Sequence, residues 1–455
     1  AAKLNKQANA KLAGWQIPFE QAVVKRFVAS LPFELTPAQR LASWDILQDF
    51  EKTTPMNRLL QGDVGAGKTV VAGLCALQAA SHQFQTAFLA PTEILASQHA
   101  ATLDTLLAPF HISVALLTGS VKGNAREALL ASLKNGEIDV VVGTHALLQP
   151  TVRFNRLGFV VIDEQHRFGV NQRQELLQKS DNMPHLLAMT ATPIPRSLAL
   201  TLYGELDVSV INQKPKNRLP IETKIWAPTS RKQLYSTIDQ ELAKGRQAYI
   251  ICRLIDNNPL NDTKSVELEF RNLKNSVFSH RSIGLLHGKM KPSEKEEVMR
   301  RFASGELNIL VSTTVVEVGV DVPNATVMLI EDADQYGLSQ LHQLRGRVGR
   351  SEHQSYCYLL TSDTNKPSLR LREIEKSQDG FHLAEVDLKL RGPGEIYGRA
   401  QHGDLNLQVA NLADTKLIAK ASKAADSFVN SGADLLQYKE LSAHVEKYQR
   451  ITTLN

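Results

Sequence analysis

Residues 62–69 read Gly62-Asp63-Val64-Gly65-Ala66-Gly67-Lys68-Thr69, and this stretch decides the fold. Glycines at 62, 65 and 67 admit backbone angles and a closeness of approach that a side chain would block, so successive N–H groups can converge on an anion. Lys68 offers charge to the β and γ phosphates of a nucleoside triphosphate, and Thr69 offers a hydroxyl to magnesium. Both stand at the positive end of a following helix. The flanks suit that role: Arg58-Leu59-Leu60 reads as a short strand, while Val70, Val71, Leu74 and Leu77 recur at helical spacing.

About a hundred residues downstream an apolar run, Leu157 to Ile162, ends in Asp163-Glu164-Gln165-His166. The run is apolar enough for a strand buried on both faces, which delivers two adjacent carboxylates to the edge of a parallel sheet. Asp163 is expected to meet the magnesium and Glu164 to orient and activate the attacking water. Two acids after a strand commonly make a solvated turn; beside the glycine loop they become a catalytic pair.

The chain has 455 residues, 22% charged and 43% apolar, with a net charge of +5. That length suits about three domains. No apolar run approaches the roughly 18–20 residues of a membrane span, and Ala1-Ala2-Lys3-Leu4-Asn5-Lys6 lacks a signal-peptide core, so the cytoplasm is the expected compartment. Cys75, Cys252 and Cys357 lie far apart on apolar segments and read as buried small hydrophobes, with neither a zinc site nor a disulfide framework indicated. The net charge permits a polyanionic partner without requiring one.

Residues 1–30 read as a helical linker with Phe19, Val23, Val24 and Phe27 on one stripe. From 31 to 211 apolar strands alternate with helical patterns, at Ala87–Ala90, Ala115–Leu117, Val140–Val142, Phe159–Ile162 and Leu186–Met189. A Lys-, Pro- and Asn-rich linker, Asn212 to Pro220, opens a second alternating series over 212–365. Its strands are expected at Ala248–Cys252, Ser282–Leu286, Ile309–Val311, Val327–Ile330 and Tyr356–Leu360, with a helix from Ser293 to about Ala303 stopped by Gly305. This second series has no glycine loop of its own. It carries instead Gln343-Leu344-Arg345-Gly346-Arg347-Val348-Gly349-Arg350, where arginines three apart would share a helical face. A guanidinium fork suits the charge on a transferred phosphoryl group, so Arg347 and Arg350 are candidate arginine fingers.

With these motifs in order, the chain resembles superfamily 2 helicases and translocases over nearly its whole length. That resemblance implies two tandem RecA-like lobes, parallel sheets covered by helices, followed over 366–455 by a C-terminal helical hairpin and loop extension. It implies ATP with Mg2+, Gln39 reading the adenine, and the nucleotide held by residues 62–69 together with Gly319 and Asp321. Gln343 would join Lys68, Asp163, Glu164, Arg347 and Arg350 at the reaction, with His166, Thr190 and Thr192 coupling hydrolysis to movement. Nucleic-acid contacts would come from Pro91, Thr92, Thr118, Gly119, Thr144 and His145 in the first lobe, and from His287, Gly288 and Thr313 in the second.

Within that superfamily the chain is similar to the RecG family of bacterial DNA translocases, through Asp163 to Val170 and through Asp387 to Glu395 followed by Gln401-His402-Gly403. Arg391 and Gln401 would then lie on a loop that levers duplex DNA. Tyr397, Arg399, Ala400 and His402 depart from the family pattern. The implied partners are double-stranded and branched DNA, with a single-strand DNA-binding protein as a further candidate, and the implied motor is monomeric. That family begins with a wedge domain, so the chain is expected to be the motor portion with its tail. RNA helicases of the superfamily, a transcription-repair coupling translocase and a nucleotide-gated scaffold without turnover are the rival readings.

Overall fold

In the computed structural model, residues 13–192, 206–213, 219–252, 259–313, 322–364, 366–391, 415–432 and 435–445 are described. The chain divides into two units, residues 1–214 with 388–455 and residues 215–387.

The first unit is built on seven strands: β1 (Asn57–Gly62), β2 (Gln85–Leu89), β3 (Val114–Leu117), β4 (Val140–Gly143), β5 (Leu157–Ile162), β6 (His185–Thr190) and β7 (Asp207–Ile211). All pair in parallel, in the order β3-β4-β2-β5-β6-β1-β7. Parallel strands buried on both faces must be apolar throughout, and Val140, Val141, Val142, Val160, Val161 and Ile162 are fully buried. The edge strand β7, Asp-Val-Ser-Val-Ile, escapes a reading based on apolar runs because only part of it is covered.

The second unit holds β8 (Glu222–Trp226), β9 (Gln247–Ile251), β10 (Ile283–Leu286), β11 (Ile309–Ser312), β12 (Ala325–Ile330) and β13 (Tyr356–Leu360), again parallel, in the order β10-β11-β9-β12-β13-β8. Strand for strand this repeats the first sheet from β3 to β1. Side chains repeat it too: Gln85 Nε2 donates to the carbonyls of Leu133 and Ile138, and Gln247 Nε2 to those of Phe302 and Leu307. The helix Pro292–Ala303 ends as expected before Gly305, whose φ of +83° suits glycine.

Two segments are placed differently from the sequence reading. Residues 13–30, read as a linker, pack on the first unit: Ile17 and Phe27 are buried, Ile17 N–H donates to Phe50 O, and the Arg156 guanidinium lies over the Trp15 ring. The helix Leu369–Lys376, read as the start of the tail, packs on the second sheet because Leu371 and Ile374 are apolar and fully buried. Beyond it run the helices Gly380–Arg391 and Thr415–Asn430. The Arg391 side chain and the whole of 392–414, Gln401 included, lie outside the described residues.

Candidate nucleotide site and nucleic-acid edge

The order β5-β6-β1 brings three strand ends together at the carboxyl edge of the first sheet. From β1 the chain enters the glycine loop, in which Gly65 and Gly67 adopt φ of +72° and +81°. Gly67 caps the helix Lys68–Ser81, and a Cβ there would stand 2.3 Å from Gln39 Nε2, so the loop geometry requires glycine. Lys68 Nζ donates to the carbonyls of Gly62 at 2.8 Å and Asp63 at 3.1 Å. Asp63 and Val64 are buried at the loop's base, where Asp63 Oδ1 accepts the Val64 N–H at 2.7 Å.

Gln39 braces this loop. It forms a capping box with Thr36 at the start of the helix Pro37–Phe50, its Oε1 accepting the Thr36 N–H at 2.8 Å, and its Nε2 donates to Ala66 O at 2.8 Å. Its amide is thus fixed by protein groups and its position is set relative to the loop.

After β5 stand Asp163 and Glu164. Asp163 is buried, its Oδ1 accepts the Glu164 N–H at 3.0 Å and its Oδ2 lies 2.8 Å from His99 Nε2. Burial acts to raise its carboxyl, but the His99 hydrogen bond and the nearby Lys68 ammonium outweigh this and hold it below the usual range. Glu164 has φ of +49°, a left-handed angle uncommon outside glycine. Asp332 repeats that angle after β12, where no glycine loop is present, so the strained acidic turn belongs to the strand-to-3₁₀ connection of this fold. Gln165 is buried with Oε1 unpartnered, and the His166 side chain lies outside the described residues.

Between these two ends comes β6, leading to Thr190 and Thr192. Thr190 is buried and its hydroxyl accepts the Thr192 N–H at 3.2 Å, placing this pair between the loop and the acids. The remaining strand ends, β3-β4-β2, carry Thr118 and Gly119, Thr144 and His145, and Pro91 and Thr92 on one continuous stretch of edge. Thr92 caps the helix Glu93–Leu107 and Thr118 is buried with its hydroxyl 2.7 Å from Ser120 Oγ. His145 is exposed.

In the second unit, His287 and Gly288 follow β10, and Thr313 follows the neighbouring β11. Burial lowers the His287 pKa against the charge of Glu267, which acts to raise it, and its Nδ1 is without a partner, as is the buried Thr313 Oγ1. Gly319 and Asp321 lie outside the described residues. One expectation is corrected here. The helix carrying Gln343 runs only from Leu338 to Arg345; Arg347 and Arg350 follow it rather than sharing its face, because Gly346 caps the helix and Gly349 turns the chain at φ of +77°. Arg345 is itself fully buried, donating to the carbonyls of Ile374 at 2.6 Å and Ser377 at 2.8 Å. Arg347 is buried and Arg350 partly exposed, with Nε 3.3 Å from Gly346 O.

Sequence reasoning passed over His99, whose ring nitrogens face both Thr69 and Asp163. Its one signal is its place, seven residues after Thr92 in the motif that opens its helix. Thr69 and Asp163 are hard oxygen donors of the kind magnesium takes, and a shared His ring ties them to one spot. The donor set therefore fits magnesium.

Two parallel, helix-covered sheets in this strand order form tandem RecA-like lobes, the architecture of superfamily 2 helicases. Residues 36–201 match the DEAD/DEAH box helicase family, residues 231–352 the helicase conserved C-terminal domain, and residues 377–447 the C-terminal part of domain 3 of the ATP-dependent DNA helicase RecG. The chain belongs to the RecG family. It is 49% identical over 432 residues to the ATP-dependent DNA helicase RecG of Synechocystis sp., covering 94% of this chain and 52% of that protein. To the RecG of Staphylococcus epidermidis it is 49% identical over 440 residues, covering 96% and 64%. A solved structure of RecG bound to a three-way DNA junction superposes with a TM-score of 0.79 at 44% identity, covering 92% of this chain and 55% of that one. The chain thus spans between about half and two thirds of these relatives.

Proposed function

We propose that the chain is the ATP-hydrolysing motor of a double-stranded DNA translocase that remodels branched DNA, such as stalled forks and Holliday junctions, in recombination and repair. The observation that carries this reading is the division of one sheet edge. Its β5-β6-β1 half gathers the glycine loop, Asp163 and Glu164, its β3-β4-β2 half gathers Pro91, Thr118 and Thr144, and the two halves meet at β2 and β5. The RecG-specific match over 377–447 and the junction-bound relative support duplex, branched DNA over RNA.

In this reading the loop N–H groups and Lys68 bind the phosphates of ATP, Lys68 leaving its two carbonyls for phosphate oxygens. Thr69 and Asp163 would hold magnesium, which when bound would neutralise charge on the phosphates. Glu164 takes a proton from the attacking water, and Gln39 fixes the loop beside the adenine. Gln343, Arg347 and Arg350 answer to the γ phosphate, while Gly319 and Asp321 complete the nucleotide contacts. His166, Thr190 and Thr192 relay nucleotide state, and Arg391 and Gln401 work on the duplex. DNA contacts are to phosphates, hence insensitive to base sequence and weakened by salt. The same reading makes one chain the working unit, in the cytoplasm, with a single-strand DNA-binding protein as a candidate partner.

The test is the ATPase rate of the full chain with linear duplex, forked DNA, single strands and single-stranded RNA. Stimulation by duplex and forked DNA is expected. Stimulation by RNA alone would transfer the chain to the RNA helicases, and no phosphate release with any of them would leave a nucleotide-gated scaffold.

A further inference from the structure

His99 lies on the helix Glu93–Leu107, which follows β2, and β2 pairs with β5, the strand that delivers Asp163. Its ring is 4.6 Å from that of Phe88 and its side chain is 12% exposed, so it is packed in place rather than free to swing. Nε2 stands 2.8 Å from Asp163 Oδ2, and Nδ1 stands 3.4 Å from Thr69 Oγ1. An ionised carboxylate can only accept, so Nε2 carries a proton and donates. In the neutral ring Nδ1 is then an acceptor, and the Thr69 hydroxyl donates to it, which turns the hydroxyl's lone pairs away from the ring. The other oxygen of Asp163 is occupied by the Glu164 N–H. One imidazole therefore fixes the orientation of both oxygen donors through its two nitrogens.

We propose that His99 is a positioning residue for the magnesium ligands, orienting the Asp163 carboxylate by donation and the Thr69 hydroxyl by acceptance. It deepens the nucleotide-site reading above and rests on it. Groups that orient metal ligands from the outside characteristically change metal affinity by about ten- to a hundredfold when removed. His99 differs from the phosphate-binding residues in a testable way: it acts on the metal's ligands and leaves the phosphate cradle alone.

The experiment titrates a fluorescent ADP analogue into the full chain, once with excess chelator and once with magnesium. In the parent chain, binding tightens with magnesium. In His99→Ala the chelator affinity stays within about twofold while the magnesium-dependent tightening falls by about tenfold or more. His99→Gln, whose amide can also donate and accept, recovers part of it. An unchanged or enlarged magnesium-dependent gain in His99→Ala overturns the proposal, as does an equal loss under both conditions, which would mark a purely structural ring. Absence of binding by the parent chain in both conditions would sink the nucleotide reading itself, and this inference with it.

Discussion

Arg231 stands to Glu331 in the second sheet as Lys68 stands to Asp163 in the first: each cation opens the helix after the corresponding strand, β8 or β1, and each acid follows β12 or β5. In the second unit no glycine loop separates them, and the Arg231 guanidinium closes on Glu331 in an ion pair that also involves Tyr235 and Glu269. Burial, partly opposed by Arg231, pushes the Glu331 carboxyl up to about 7. The position that holds the glycine-loop lysine in one lobe thus holds an ion-paired arginine in the other. Arg231→Ala should destabilise the chain, by about 1–2 kcal/mol because the arginine is 39% exposed. The Arg231→Met, Glu331→Met double variant should recover most of that loss in urea unfolding.

Lys68→Ala removes the only ammonium among the described loop residues 62–69. Loss of such a preorganised charge costs about a hundredfold or more in turnover. DNA-stimulated phosphate release should fall by that factor with the melting temperature nearly unchanged. A normal rate would refute the catalytic assignment.

Gln39→Ala deletes both a capping-box partner and the brace on Ala66 O. A stability loss of about 1 kcal/mol follows from the cap, together with a rise in the KM for ATP, since the loop loses its support. Equilibrium unfolding and steady-state kinetics separate the two effects.

Arg345 and Arg350, five residues apart, should behave oppositely. Arg345→Met strands the buried carbonyl of Ile374 and the partly buried one of Ser377 and should cost roughly 2–4 kcal/mol. Arg350→Ala, at a partly exposed residue, should leave stability within about 0.5 kcal/mol while lowering kcat by about a thousandfold. Paired melting and ATPase measurements decide it.

His185 is buried with Nδ1 accepting the Met56 N–H and Nε2 donating to Trp15 O, an arrangement that requires the neutral ring. Burial lowers its pKa to about 4, against the Trp15 hydrogen bond, which acts to raise it. The folded value lies below the unfolded value near 6.5, so the contribution is whole above about pH 6.5 and is lost as pH falls toward 4, about 3 kcal/mol in all. The unfolding midpoint should drop across that window, and His185→Gln should flatten the dependence.

Much of this was legible in the chain itself. The glycine spacing at 62–69 and the apolar run before Asp163 have local causes, and most strands fell where unbroken apolar residues demanded them. Edge strands β7 and β8 did not, because partly covered strands keep polar residues and lose the signal. The arginine spacing hides the helix end at Arg345, which Gly346 and Gly349 impose because glycine stops a helix. His99 has no sequence signal beyond its place seven residues after Thr92.

By itself the sequence determined the candidate nucleotide site: loop glycines, Lys68 and the paired acids act through backbone freedom and charge, properties each residue carries wherever it is placed. Only the tertiary structure decided that a histidine from a third segment would hold Thr69 and Asp163 together, that Gln39 would brace the loop, and that Arg345 would serve the core while Arg350 stayed accessible. Those assignments depend on strand order, β2 beside β5 and β6 between β5 and β1, and strand order is set by how buried faces pack, which no short stretch of residues specifies.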